Sequence, residues 1–112
     1  MKEIRAIIHV EKLDEVKEAL TAIGLPGLMV THIEGHGRQS GISEQFRGRV
    51  FKVDLIPKVR LEIVCKDDDV ERIMRIIAEA ARTGEIGDGK IFVYNVEDAL
   101  RIRSMEEGEA AI

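Results

Sequence analysis

Between Thr83 and Lys90 the chain reads Thr-Gly-Glu-Ile-Gly-Asp-Gly-Lys, with three glycines inside six residues and a lysine at the end. Glycines at that density let a backbone approach a ligand and turn successive N–H groups toward an anion. The run is not the G-x-x-x-x-G-K-[ST] phosphate loop, because the spacing differs and Ile91 follows the lysine. Taken alone, it also suits a plain turn between helix and strand. Two further groups shift the balance. Arg101 and Arg103 are separated by one residue, and on an extended segment their side chains share a side. Adjacent guanidiniums repel unless an anion lies between them, and each fork matches phosphate oxygens in pairs. Gly35, Gly37 and Arg38 make a third glycine–cation group. Three such groups in one small acidic chain point to a nucleotide polyphosphate site.

Catalytic arrangements are thin by comparison. Ser40, Ser43 and Ser104 have no visible base and orienting partner. His32 and His36 are four apart, but Gly35 between them and an extended reading remove the shared helical face a metal pair would use. His9, His32 and His36 are therefore expected to be structural or surface residues. Cys65, the only cysteine, falls among the buried positions of a strand and reads as an inert core thiol. A lone cysteine excludes an internal disulfide framework and a Cys-rich zinc site. The expectation is a binding protein and not an enzyme.

Composition sets the outer bounds. A chain of 112 residues is expected to form one domain over 1–112, and 45% hydrophobic residues exclude a disordered tail. Lys and Arg total 17 against 21 Asp and Glu, a net charge of −4, which argues against a general nucleic-acid binder. Apolar runs such as Ala6-Ile7-Ile8 are too short to span a membrane. Met1-Lys2-Glu3-Ile4 has an acid too early for a signal peptide and no apolar stretch behind it. The expected setting is a reducing cytoplasm.

These groups need elements to hold them. Ile4, Ala6, Ile8 and Val10 alternate with Arg5, Ile7 and His9 in the period of a strand. Leu13, Val16, Leu20 and Ile23 then share one face of a helix that Gly24 and Pro26 stop. A strand follows over 28–33 and a third over 58–65. Asp67-Asp68-Asp69 opens a second helix, where carboxylates cap free N–H groups and meet the positive end of the dipole. Its apolar stripe is Val70, Ile73, Ile77 and Ala80 or Ala81. The fourth strand covers 91–94, and a short fifth is expected over 99–103. Two strand–helix–strand units in so short a chain predict an α+β, ferredoxin-like split βαβ sheet with both helices on one face. The other face then carries Ile7, Val64 and Phe92 among polar residues, so packing against another copy is expected. The segment 37–55 has no sustained period and far exceeds the usual connection of ~4–6 residues. Glu44, Phe46, Arg47 and Arg49 give it the side chains of a docking arm.

With these residues in view, the chain resembles the PII nitrogen-regulatory signalling proteins. The likeness rests on Gly35-His36-Gly37-Arg38-Gln39, Arg47-Gly48, the stretch 53–59, the highly specific run 80–93, Arg101-Ile102-Arg103 and the tail 109–112. It implies a homotrimer with the sheets facing the centre and a long arm, the T-loop, over the unexplained segment. It also implies competitive binding of ATP or ADP between subunits, and of 2-oxoglutarate with MgATP. By position, Gly87, Asp88, Gly89 and Lys90 would cradle phosphates, with Gly37, Arg38 and Gln39 at the arm's base. Arg101 and Arg103 would come from the neighbouring subunit. Ile7, Gly35, Glu62 and Val64 would line the purine pocket. Gln39 would ligate Mg²⁺, Lys58 would pair with a 2-oxoglutarate carboxylate, and Arg47 would plug an ammonium channel. The implied partners are an ammonium transporter, through which alone the protein would meet a membrane, and other nitrogen-assimilation proteins. Phe51 stands where relatives carry a uridylylated tyrosine, so that modification is not expected. Met29 replaces a purine-pocket threonine, and Ser40 a common lysine. The competing reading is a metal-binding ferredoxin-like trimer of the copper-tolerance type. It needs soft or imidazole ligands in a cluster, which three scattered histidines and one cysteine do not supply.

Overall fold

Alternation along the strands decides where the core lies. The computed structural model describes residues 1–25, 27–36, 42–46, 49–53 and 55–112, with backbone alone over 42–46 and 49–53. In chain order the elements are β1 (Lys2–His9), α1 (Leu13–Ala22), β2 (Met29–Gly35), β3 (Ile42–Phe46), β4 (Arg49–Val53), β5 (Ile56–Cys65), α2 (Val70–Ala81) and β6 (Lys90–Asn95). On β1 the side chains of Ile4, Ala6 and Ile8 are buried, while Arg5 and Ile7 between them are only partly covered. Val59, Leu61, Ile63 and Cys65 do the same on β5. Against this surface α1 lays Val16 and Leu20, and α2 lays Ile73, Ile77 and Ala81.

The four long strands form one sheet in the order β2-β5-β1-β6, every pair antiparallel. Each strand–helix–strand unit therefore straddles a strand of the other, the split βαβ arrangement expected for the ferredoxin-like class. β5 starts at Ile56, two residues before the expected strand. Pro57 is tolerated there because β1 pairs with β5 only from Lys58 onward, so the proline lacks a neighbour on one side. The segment 37–55 holds an antiparallel ladder in which Ile42 faces Val53 and Phe46 faces Arg49. A hairpin of that kind pairs through its backbone and needs no alternating apolar pattern, which is why the period was silent there.

Two expectations need correction. The acidic run 67–69 forms a 3-10 turn before α2, and neither cap residue of that entry makes a side-chain capping bond. Asp67 instead takes the chain's own α-ammonium at 3.0 Å, which lowers its pKa. The proposed fifth strand over 99–103 is absent. Leu100 makes one isolated bridge to Glu107, and the chain reverses between them. The Arg101 N–H donates to the Glu106 carbonyl at 2.9 Å, the Met105 N–H donates to the Arg101 carbonyl at 2.8 Å, and Met105 takes φ +62°. Arg101 and Arg103 thus sit on a tight turn and not along one side of an extended segment. What looked like a strand was apolar Leu100 and Ile102, both of which are exposed.

The face away from the helices is mixed. Registers place Glu3 beside Val64 and Tyr94, Arg5 beside Glu62 and Phe92, and Ile7 beside Arg60 and Lys90. Arg5 Nε reaches Glu3 Oε1 at 2.6 Å, and its guanidinium lies 4.7 Å from the centre of the Tyr94 ring. Phe92 and Tyr94 keep 47% and 46% of their surface exposed, so among the described residues nothing covers the apolar part of this face.

Candidate functional site

The glycine-rich loop leaves α2 at Ala81 and returns as β6 at Lys90. Asp88 organises it. Its carboxylate accepts from the Thr83 hydroxyl at 2.5 Å, the Thr83 N–H at 2.8 Å and the Gly84 N–H at 2.9 Å, with His9 Nε2 at 3.2 Å. The Thr83 hydroxyl, then the Gly84 amide, hold this carboxyl well below the usual carboxylate range. The side chain of Asp88 is thus spent on shaping the loop, and what it leaves for an anionic ligand is its backbone N–H. The sign of the pH dependence follows. A depressed acid contributes fully above its unfolded value of about 3.9 and loses that contribution only as pH falls through the lowered folded value. The Asp88 transition in the amide shifts of Thr83 and Gly84 should fall below about pH 4. In an Asp88→Asn variant this acid transition should vanish, and hydrogen exchange at the Gly84 amide should be faster at neutral pH.

Gly84, Gly87 and Gly89 take φ of +90°, +98° and +108°, a region L side chains rarely enter. Gly89 has a second reason to lack a side chain, since a Cβ there would fall 1.7 Å from the Ile7 carbonyl oxygen. The loop therefore lies directly on the backbone of β1. Lys58, only 7% exposed, reaches in from β5. Its Nζ donates to the Gly87 carbonyl at 2.5 Å and sits 3.2 Å from His9 Nδ1. Gly35, at the end of β2, is tight against the Lys58 stem, since a Cβ there would lie 3.3 Å from Lys58 Cγ.

These groups border a cleft of about 530 Å³, a size that suits a small molecule. Ile7, Gly35, Lys58 and the run Gly87, Asp88, Gly89, Lys90 all line it, so these sequence-selected positions come together. Glu62 and Val64 do not line it. They lie on the open sheet face, where Glu62 Oε1 is 2.9 Å from Arg60 Nε. Arg101 and Arg103 are also outside it, and Arg101 Nη1 reaches Glu106 Oε1 at 3.3 Å. Gly37, Arg38, Gln39 and Arg47 lie outside the described residues, as does the side chain of Phe51. His36, Ile56, Glu85, Ile86 and Phe92 were not foreseen and complete the lining. His9 was read as a bland histidine, yet it bridges Lys58 and Asp88. Only the β1–β5 register, which sets His9 opposite Lys58, reveals that.

The cleft can hold an anion by its amides and by Lys58 and Lys90, and a flat apolar group against Ile7 and Phe92. Among the described residues no three His, Cys, Asp or Glu side chains are grouped to hold a metal ion, and no helix is long and apolar enough to cross a membrane.

Comparison with known proteins gives a concordant result. Residues 1–106 match the family described as Nitrogen regulatory protein P-II. A relative named Nitrogen regulatory protein P-II 2, from Methanothermobacter thermautotrophicus, is 52% identical over 112 residues, which is all of this chain and 97% of the relative. Proteins named Nitrogen regulatory protein P-II from Bradyrhizobium diazoefficiens and Rhodospirillum rubrum are 57% and 56% identical, with both chains fully covered.

Proposed function

This chain belongs to the nitrogen regulatory protein P-II family and so serves nitrogen signal transduction; we propose that it does so by sensing ATP or ADP together with 2-oxoglutarate. The observation that carries this reading is the convergence of Lys58, Lys90 and the amides of the positive-φ loop on one cleft floored by Ile7. In the proposed complex the purine lies against Ile7 and Gly35 and the phosphates against Gly87 to Lys90, while Glu62 and Val64, outside the cleft of their own chain, would reach the purine only from an adjacent subunit. Gly37, Arg38 and Gln39 close over them from the base of the arm. A homotrimer supplies Arg101 and Arg103 from the adjacent subunit, consistent with their distance from the cleft of their own chain.

Mg²⁺ supplies a charge that lets phosphate and keto acid share one site. The Asp88 carboxylate is already engaged. As the family resemblance implies, the ion's oxygen ligands would come from Gln39, the phosphates and the keto acid. Lys58 would exchange the Gly87 carbonyl for a 2-oxoglutarate carboxylate. Coupling between the two ligands is then ordinary linkage. The arm carries the signal, with Arg47 meeting an ammonium transporter or another nitrogen-assimilation protein. The protein acts in the cytoplasm, by binding and without turnover.

Calorimetry tests this directly. ATP should bind, and 2-oxoglutarate should bind more tightly with MgATP than without. The double variant Arg101→Ala/Arg103→Ala should weaken ATP by about hundredfold or more, since each charge-assisted hydrogen bond contributes ~1.5–3 kcal/mol. Absence of nucleotide binding at millimolar ATP would defeat the reading.

A further inference from the structure

Lys58 is held in a way that depends on the proton inventory of its neighbour. His9 ends β1 with its ring mostly covered and touches charged groups from three elements. Lys58 of β5 has Nζ 3.2 Å from Nδ1. Asp88 of the glycine loop has Oδ1 3.2 Å from Nε2. Glu11, in the turn after β1, has Oε1 3.8 Å from Nδ1. An ammonium has only donors, so contact with Nδ1 requires that nitrogen to be the acceptor. The neutral ring must then carry its hydrogen on Nε2, where Asp88 accepts it. Both contacts are satisfied by one tautomer, and that tautomer makes a relay from Lys58 through His9 to Asp88.

We propose that His9 is a positioning residue whose protonation releases the Lys58 ammonium into the cleft and so ties dicarboxylate binding to pH. A proton from water adds at Nδ1. The Nε2–H bond to Asp88 is kept, the ring becomes an imidazolium, and Nδ1 changes from acceptor to donor. Lys58 stays an ammonium throughout and is now repelled, while Glu11, already the nearest carboxylate to Nδ1, receives the new N–H. Imidazole is the side chain whose unperturbed charge change falls between about pH 5 and 8. Lys58 loses one of its two partners and keeps the Gly87 carbonyl, and the cleft gains a positive charge. An anion with carboxylates to place should therefore bind more tightly as pH falls, taking up a proton as it binds.

The consequence for 2-oxoglutarate rests on the function proposed above, but the relay itself does not. Long-range proton–nitrogen NMR on the ligand-free protein reads it directly. The expected result at about pH 8 is a neutral His9 with hydrogen on Nε2. Hydrogen on Nδ1 at that pH would overturn the relay. Calorimetry with MgATP then reads the function. Affinity for 2-oxoglutarate should rise about tenfold between about pH 8 and about pH 6, the size of a one-unit linkage, with proton uptake seen by changing the buffer. His9→Gln, whose amide can both accept and donate but does not titrate, should bind with a flat profile. His32 is exposed on β2 and does not line the cleft, and His32→Gln should keep the wild-type slope. An unchanged slope in His9→Gln would overturn the proposed coupling. If 2-oxoglutarate bound at no pH while the tautomer result held, the assigned ligand would fail and the relay would stand.

Discussion

Gly89→Ala is expected to abolish measurable ATP binding and to cost at least about 3 kcal/mol of stability. Two penalties combine at this position. The backbone sits at φ +108°, where a Cβ is strained in any surroundings. That same Cβ would meet the Ile7 carbonyl oxygen at 1.7 Å and the Ile7 carbonyl carbon at 2.8 Å. Both are main-chain atoms of a central strand paired on each side, so β1 cannot yield without breaking its ladders with β5 and β6. The loop must lift instead, carrying away the Gly87 carbonyl that holds Lys58 and the amides proposed to meet phosphate. Gly84→Ala is the informative contrast. Its φ is also positive, at +90°, but nothing lies within 4 Å of the added carbon. That variant should cost about 1–2 kcal/mol and retain binding within about tenfold, because only the local backbone is strained. Urea unfolding and ATP calorimetry on the pair separate strain from close approach. Wild-type ATP affinity in Gly89→Ala would show that the loop need not lie on β1 for the cleft to work.

The strands, the helices and the order in which they interleave were legible because burial on one face imposes a period. Ile4, Ala6 and Ile8 on β1 and Ile73 and Ile77 on α2 announce their faces in any single sequence, and their burial agrees. The glycine loop was legible because backbone geometry there restricts residue type. Features governed by pairing between distant segments were not. Nothing local says that His9 faces Lys58, since that follows from the register of two strands far apart in the chain. The turn at 101–106 was misread for the opposite reason. Alternating Leu100 and Ile102 mimic a strand, but no strand edge is there to receive them, and the backbone pairs with itself. Asp67 was misread because its partner is the chain's own amino terminus, which no helix-start pattern anticipates. The ladder between 42–46 and 49–53 escaped because pairing held by main-chain bonds imposes little on side-chain type.

Tyr94→Glu should turn the protein into a folded monomer of 12.6 kDa and weaken ATP binding by about hundredfold or more, although Tyr94 does not line the cleft. The ring lies on the sheet face opposite the helices, beside Glu3 in the register and under the Arg5 guanidinium. It contributes nothing to the buried core, so helix content and folding should persist. What it does offer is surface to a neighbour. Tyr94 and Phe92 each leave nearly half their area in water, and covering the rest would stabilise an assembly by roughly 2 kcal/mol per ring. Arg60 adds a second mark of an unfinished face. Its Nε is buried and lacks a well-directed hydrogen bond, although Glu62 Oε1 is only 2.9 Å away. A glutamate at 94 would stand beside Glu3 and, in an assembly, would have to be buried without a new partner, a cost of several kcal/mol per site. In the proposed assembly, its loss would remove Arg101 and Arg103 from every cleft at once, which is why a residue remote from the ligand should act on affinity. Sedimentation and calorimetry on the same sample decide the matter. A monomer with undiminished ATP affinity would mean that each chain binds nucleotide alone, and the two arginines would need another role.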